Sequence, residues 1–380
     1  MIWLGAAALL AWLVLLLGRG MFWLCRENDA QAAPDLLHWP DVTILVPARD
    51  EAETIATVVQ ALLAQDYPGG LALWVVDDRS GDDTAALARA AAGGDARLQV
   101  VTGRDRPPGW TGKLWALQQG LAAANPTTTY LLFTDADIHH APDSLRRLVA
   151  RAETGGYALT SLMAKLRCES RAERWFIPAF IYFFQMLYPF RWANDPARRM
   201  AAAAGGCVLL RRADFEAAGG VAAIRGAMID DCTLAAAIKR QRPGTRIWLG
   251  LTERVVSLRA CPSIEPIRRM VARTAYAQLR YSPALLLGML LALTLVFLVP
   301  PALTWWGSFW ARLLGLAAWL GMALSFVPVL SFYRLPVWRG VALPVVAMFY
   351  MLFTLDSAIA QHRGQGGMWK GEAGPAPPPG

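Results

Sequence analysis

The stretch Tyr130-Leu-Leu-Phe133, running straight into Thr134-Asp-Ala-Asp-Ile138, decides the fold. A short apolar run that ends in polar residues reads as a buried strand. Carboxylates at i and i+2 leave a strand on the same side, so Asp135 and Asp137 can hold one hard divalent cation, which would also bind diphosphate oxygens. A lone D-x-D carries little weight, but this one follows two other acidic strand ends. Val42–Val46 runs into Pro47-Ala-Arg-Asp-Glu51, and Leu73–Val76 runs into Asp77-Asp78. With Leu98–Val101, these runs alternate with Ala-rich helical stretches at Ile55–Leu63, Thr84–Ala91, Lys113–Ala123 and Asp143–Ala150. That order predicts an α/β domain with a mostly parallel sheet from about Asp41 to Leu258. In such sheets ligands bind beyond the carboxyl ends of the strands.

Each acidic strand end has its own chemistry. Asp77 and Asp78 can accept from a base imide N–H and from ribose hydroxyls, while Asp82 or Asp83 reads as the cap of the next helix. Asp50 and Glu51 have capping as their alternative. No glycine-rich turn follows the first strand, and the missing G-x-G-x-x-G argues against a dinucleotide-binding oxidoreductase. Lys113 starts a helix, where it opposes the helix dipole; a nearby phosphate would explain it, and a solvated surface lysine is the alternative. His139 and His140 are candidate metal ligands, though histidines here more often serve the loop. Gly205-Gly-Cys-Val-Leu-Leu210 reads as a turn into a strand, with glycines that let backbone approach a ligand. Asp230 and Asp231 open a helix running through Lys239; one can cap it, and the other can act as a general base on an acceptor hydroxyl.

The rest of the chain predicts a membrane. Of 380 residues, 55% are hydrophobic and 17% charged, too apolar for a wholly soluble protein. The apolar excess is concentrated at Ile2–Leu17 and in three spans near Ala284–Thr304, Leu313–Phe332 and Val341–Ala360. Arg19 and Arg26 follow the first segment, which predicts an uncleaved anchor, residues 1–26, with these arginines on the cytoplasmic side. Arg334 and Arg339 place the last loop on the same side. The net charge of +8 fits loops facing anionic lipid, with no basic, aromatic-interleaved face for nucleic acid. Five scattered cysteines, free of C-x-x-C spacing, read as reduced thiols. Trp175–Phe190 is apolar but short, with two prolines and flanking arginines, and is expected to lie in the interface or re-enter. The Pro-rich end, 361–380, is expected to be disordered.

Taken in order, these segments resemble the family 2 glycosyltransferases with their GT-A nucleotide-sugar fold. Within them the chain looks most similar to the hopene-associated membrane glycosyltransferases, on the Asp-Asp-Cys-Thr-Leu-Ala and Thr-Gly-Lys-Leu-Trp-Ala runs and the anchor–domain–multispan layout. The resemblance implies a catalytic domain at 40–275, facing the cytoplasm at the inner membrane, and three transmembrane helices within 284–360. It gives Pro47, Ala48, Arg49, Glu51, Asp77, Asp78, Lys113 and Asp135 to the nucleotide sugar, expected to be a UDP-sugar. Asp135 and Asp137 match the metal-binding pair, for Mg or Mn. Asp230-Asp231 matches the family's E-D pair, with Asp231 as base. Gln118 stands where the family's helix has Asn. The Q/R-x-x-R-W run of polymer synthases is incomplete: Arg273 is followed by Thr274, which favours a single transfer. Arg269 and Arg273 remain candidates to face a diphosphate or lipid headgroups. The expected reaction is an inverting transfer to a membrane lipid, hopanoid or polyprenyl in type. A nucleotidyltransferase of related fold and an inactive scaffold are the alternatives.

Overall fold

Strand β1, Val42–Ala48, is buried at all seven positions, as a strand covered on both faces must be. Successive side chains point to opposite faces. Ile44 and Val46 join one core with Ile55, Val58 and Leu62 of helix Ile55–Leu63 and Leu145 and Leu148 of helix Ser144–Gly155. Leu45 joins the other, with Leu114 and Leu117 of helix Gly112–Ala123 and Leu234 and Ile238 of helix Asp230–Arg240. Each such side chain, fully buried, contributes about 1.5–3 kcal/mol.

The computed structural model describes residues 1–31 and 34–364. They form two units. The α/β unit takes Glu27–Arg167 and Trp192–Ala260; the helical unit takes Met1–Arg26, Cys168–Arg191 and, among the described residues, 261–364.

In the α/β unit, β2 (Leu71–Asp77), β3 (Leu98–Thr102), β4 (Tyr130–Thr134), β5 (Ile138–His140), β6 (Leu159–Lys165), β7 (Cys207–Arg211) and β8 (Ile247–Ser257) join β1 in one sheet of order β3-β2-β1-β4-β7-β6-β8-β5. The first four in that order are parallel, as is β6 with β8. β7 runs antiparallel to β4 and β6, and β5 antiparallel to β8. This is the GT-A arrangement, in which the sheet turns mixed in its second half. The four runs expected as strands and the four helical stretches all appear within a few residues of their expected bounds. The sequence reading did not find β5, β6 or β8.

In the helical unit, helix Ile2–Leu13 continues as a π-helical turn, Val14–Gly18. Three helices, Pro283–Trp306, Phe309–Phe332 and Val337–His362, are long and apolar enough to cross a membrane. At 24 residues the first two span roughly 36 Å, against a hydrocarbon core of about 30 Å. The first has a π-helical turn at Thr294–Leu298, just before Pro300 and Pro301. Proline there lacks the N–H and crowds the preceding turn, and a widened turn accommodates both. Leu287, Leu291 and Leu324 face outward.

The segment expected to be interfacial falls in helix Arg171–Leu187, begun by a Ser170/Glu173 capping box. Its Tyr182 hydroxyl bonds Ser325 Oγ at 2.6 Å, and Tyr350 donates to Phe176 O at 2.7 Å. Arg19 donates to the carbonyls of Met186 and Leu187 at 2.7 and 3.1 Å, the negative end of that helix. The expected disordered tail lies outside the described residues except for 361–364, where the last helix runs on to His362.

Candidate active site

Past the end of β4, exposure alternates: Asp135, Asp137 and His139 are part-exposed while Ala136, Ile138 and His140 are buried. The two carboxylates therefore share the open face, as the i, i+2 spacing requires. Around them the sheet gathers nearly every acid that the sequence singled out.

The loops after β1 and β2 are tied together. Asp50 N and Glu51 N donate to Ser80 Oγ and Thr84 Oγ1 at 3.0 and 2.9 Å, and Gly81 N donates to Asp50 Oδ1 at 2.7 Å. Asp82 Oδ1 accepts from Thr84 N at 3.0 Å, so Asp82 holds the start of helix Thr84–Ala92. Asp50 and Glu51 are not caps: Asp50 adopts a left-handed conformation, φ 50°, and Thr54 precedes helix Ile55–Leu63. Asp77 accepts from Ser80 Oγ at 2.5 Å, and buried Asp78 lies 3.6 Å from Arg49 Nη1. Pro47 and Ala48 are the buried last residues of β1, opposite Val76 and Asp77. Gly103 is required here, because a Cβ would meet Asp77 O at 2.9 Å.

Lys113, second residue of its helix, places Nζ 2.7 Å from Asp135 Oδ1 and 3.5 Å from Asp230 Oδ2. Burial works to lower its pKa, but Asp135, Asp230 and Asp231 outweigh it and hold the lysine above its usual value. Asp135 is raised, by burial first, against the pull of Lys113. Asp231 accepts from Gly205 N at 2.8 Å through Oδ2 and from Cys232 N at 2.7 Å through Oδ1. Burial and then the neighbouring Asp230 push its carboxyl up to about 6, although both N–H groups favour the charged form. A Cβ on Gly205 would lie 3.2 Å from Lys113 Nζ, so the glycine lets backbone close on both groups.

One expectation changes, and one residue is added. His140 is not a candidate ligand: Thr134 Oγ1 gives its proton to Gly206 O at 2.8 Å, so it accepts at 2.9 Å from His140 Nε2, which must carry hydrogen. Burial depresses that imidazole to about 3, and it serves to tie β4 to the Gly205 turn. Arg269 bonds Glu265 within helix Ile264–Ala272 at 2.7 Å and is otherwise exposed, and Arg273 follows that helix; both stay candidates to face a diphosphate or lipid headgroups. The arginine at the acid cluster is Arg259, which the sequence reading missed. Its Nε donates to Asp137 Oδ2 at 3.0 Å and its Nη2 to Glu51 Oε1 at 2.8 Å. It lies two residues beyond β8, a strand that its internal Thr, Glu and Arg disguised.

Glu51, Asp135, Asp137, Asp230 and Asp231 face two cations, Lys113 and Arg259. The donor set is all hard oxygen with a surplus of negative charge, which fits Mg²⁺ or Mn²⁺. Among the described residues no cluster of three or more potential ligand side chains occurs, so Asp135 and Asp137 would share such an ion with non-protein oxygens.

A mixed sheet with acids at its strand ends and D-x-D after β4 defines the class: a GT-A nucleotide-sugar transferase fold. Residues 43–219, just under half of the chain, match the glycosyl transferase family 2 model. The chain is 36% identical over 117 residues to the succinoglycan biosynthesis protein ExoO of Rhizobium meliloti, covering 31% of each. It is 34% identical over 123 residues to the beta-monoglucosyldiacylglycerol synthase of Synechocystis sp., covering 32% of this chain and 24% of the relative. It is 31% identical over 113 residues to a 4,4'-diaponeurosporenoate glycosyltransferase of Staphylococcus aureus, covering 30% and 28%. These matches span less than a third of the relatives' lengths. The mannosyltransferase PcManGT of Pyrobaculum calidifontis, solved with GDP-Man and Mn²⁺, shares the fold over 95% of this chain and 98% of its own, with TM-score 0.54 and 23% identity.

Proposed function

We propose that the chain transfers a glycosyl group from a nucleotide-diphosphate sugar, UDP-linked, to a membrane lipid by a single in-line displacement that inverts the anomeric centre. The observation that carries this reading is Asp231: its carboxylate is fixed by two backbone N–H groups, raised towards neutral pH, and set beside the Lys113–Asp135 pair. A base needs a pKa near the working pH and a fixed direction, and Asp231 has both. It takes the acceptor hydroxyl's proton. Lys113 offsets the charge of the acid cluster and offers N–H groups to the diphosphate. Asp77 and Asp78, with Arg49 and Glu51 beside them, bind the nucleoside. Asp135 and Asp137 would hold a divalent cation, which when bound stabilises charge on the leaving diphosphate. The PcManGT complex with Mn²⁺ supports that assignment.

The acceptor is a lipid because three helices can span a bilayer and drawing a lipid out of it costs roughly 0.8 kcal/mol per CH₂. Relatives named for monoglucosyldiacylglycerol and for diaponeurosporenoate support an apolar acceptor; the sequence resemblance favours a hopanoid or polyprenyl. We assign an anchor at 1–26, a cytoplasmic catalytic domain at 40–275, an interfacial segment at about 175–190 and three spans within 284–360. The test is turnover of nucleotide sugars by the full chain with bacterial lipid extract, with and without Mg²⁺ or Mn²⁺. Release of sugar only as a glycolipid is the expected result; formation of a nucleotide sugar from a sugar phosphate would favour a nucleotidyltransferase instead. Cysteines introduced near Arg104 and near Arg240 should both be shielded from an impermeant thiol reagent in intact cells.

A further inference from the structure

Arg259 approaches the acid cluster from the solvent side. Its side chain is 53% exposed, whereas those of Glu51 and Asp137 are 14% and 13% exposed. The backbone at this point is fixed, since Leu258 N donates to Asp137 O at 2.8 Å. The guanidinium sits at the end of a long, half-exposed side chain. While it is in place, Asp137 Oδ2 accepts from Arg259 Nε at 3.0 Å and from Ser257 Oγ at 3.3 Å. Both lone pairs of that oxygen are then used. A divalent cation at the same carboxylate would meet a full positive charge a few ångströms away. Arginine cannot escape such a clash by losing a proton. The side chain has to move.

We infer that Arg259 is a built-in counter-ion for Asp137 that a divalent cation must displace, so that guanidinium and cation exclude each other at this carboxylate. This rests on the reading of Asp135 and Asp137 as cation ligands. In the absence of donor, Arg259 neutralises Asp137 and Glu51 and keeps the site from trapping metal. When a nucleoside diphosphate arrives with its cation, the displaced guanidinium finds a new anionic partner in the phosphates. Cation and nucleotide therefore bind together more tightly than either alone, partly through Arg259. It acts as a positioning residue.

The probe is Mn²⁺ alone, titrated into the full chain in detergent and followed by the electron paramagnetic resonance signal of the free ion. Arg259→Gln should bind Mn²⁺ roughly fivefold more tightly than the natural chain, the order expected for losing a half-exposed charge. UDP should tighten Mn²⁺ binding less in this variant than in the natural chain. Arg259→Lys keeps the charge and should stay near the natural affinity. A gain in affinity cannot come from misfolding, and Arg259→Ala replaces the glutamine variant should that one not fold. Unchanged or weaker Mn²⁺ binding by a charge-free variant that melts with the natural chain overturns the inference, as does a lysine variant that gains as much as glutamine. Asp137→Asn should lose Mn²⁺ binding, with or without UDP. If the natural chain binds no Mn²⁺ even with UDP, it is the cation reading of the D-x-D pair that fails, and this inference falls with it.

Discussion

The two units handle polar groups in opposite ways. In the α/β unit, acids are brought together against their mutual repulsion and held by backbone N–H groups and two cations. In the helical unit, Tyr182 pairs with Ser325, Trp12 Nε1 donates to Val296 O at 2.7 Å, and the buried Glu173 carboxylate accepts from the N–H groups of Glu169, Ser170 and Cys261. One unit crowds acids together around two cations; the other meets its acids with backbone N–H groups or arginines. Stored charge marks the place where a ligand can be recognised, because binding relieves repulsion already present in the fold. Among its described residues, the helical unit gathers no comparable set of acids to offer a nucleotide's cation.

That contrast is broken most severely at the acids. Asp137→Ala should lose essentially all turnover, and chelation by EDTA should do so reversibly, with the melting temperature nearly unchanged because the residue lies at an open strand end. Full activity after dialysis against EDTA would sink the metal-dependent reading. Asp231→Asn should reduce kcat by about 10²–10⁴ while leaving donor affinity within a few-fold; collapse of donor binding would make Asp231 part of the nucleotide site. Next comes packing. Leu132→Ala, at the centre of the sheet, should cost about 2–5 kcal/mol, whereas Leu324→Ala, on the outward face of its helix, should cost less than about 0.5 kcal/mol in detergent. Comparable losses in thermal unfolding would mean that Leu324 faces protein. The smallest effect is that of pH. Asp231 is raised, so its base form is present above about 6 and lost below. A pH series should show kcat/KM flat at neutral pH and falling about tenfold per unit under acid conditions. A profile still flat at pH 5 would remove Asp231 as the base.

Legibility in the sequence followed the same division. The strands before the acids were readable because each is a short apolar run with a polar end, and Ile55–Leu63 was readable to the residue. β6 and β8 escaped because they do not look apolar. Thr160 and Ser161 are fully buried within β6, and β8 carries Thr252, Glu253 and Arg254. Ser161 is tolerated because its hydroxyl bonds Ala204 O and Cys207 O at 3.2 and 3.0 Å, partners 43 and 46 residues distant that no local pattern announces. Arg259 was lost with the end of β8, because nothing in the local sequence sets it apart from the other arginines that follow. Asp135, Asp137 and Asp231 were legible because acids after buried strands or at helix starts have few structural reasons to occur in pairs.

The helical segment Cys168–Arg191 lies, along the chain, between Asp135 and Asp137 at the end of β4 and the helix that carries Asp231. β4 and β6 therefore wait for β7 and β8, whose residues are synthesised only afterwards. At about 5–20 residues per second, the ribosome needs roughly 5–20 seconds to pass from the end of β6 to the end of β8. Until β7 is made the nascent sheet has an open edge at β4 and an unpaired β6, the kind of surface that recruits other strands. Closure of the sheet therefore waits on a strand that the chain reaches only after the apolar helix Arg171–Leu187 has been made.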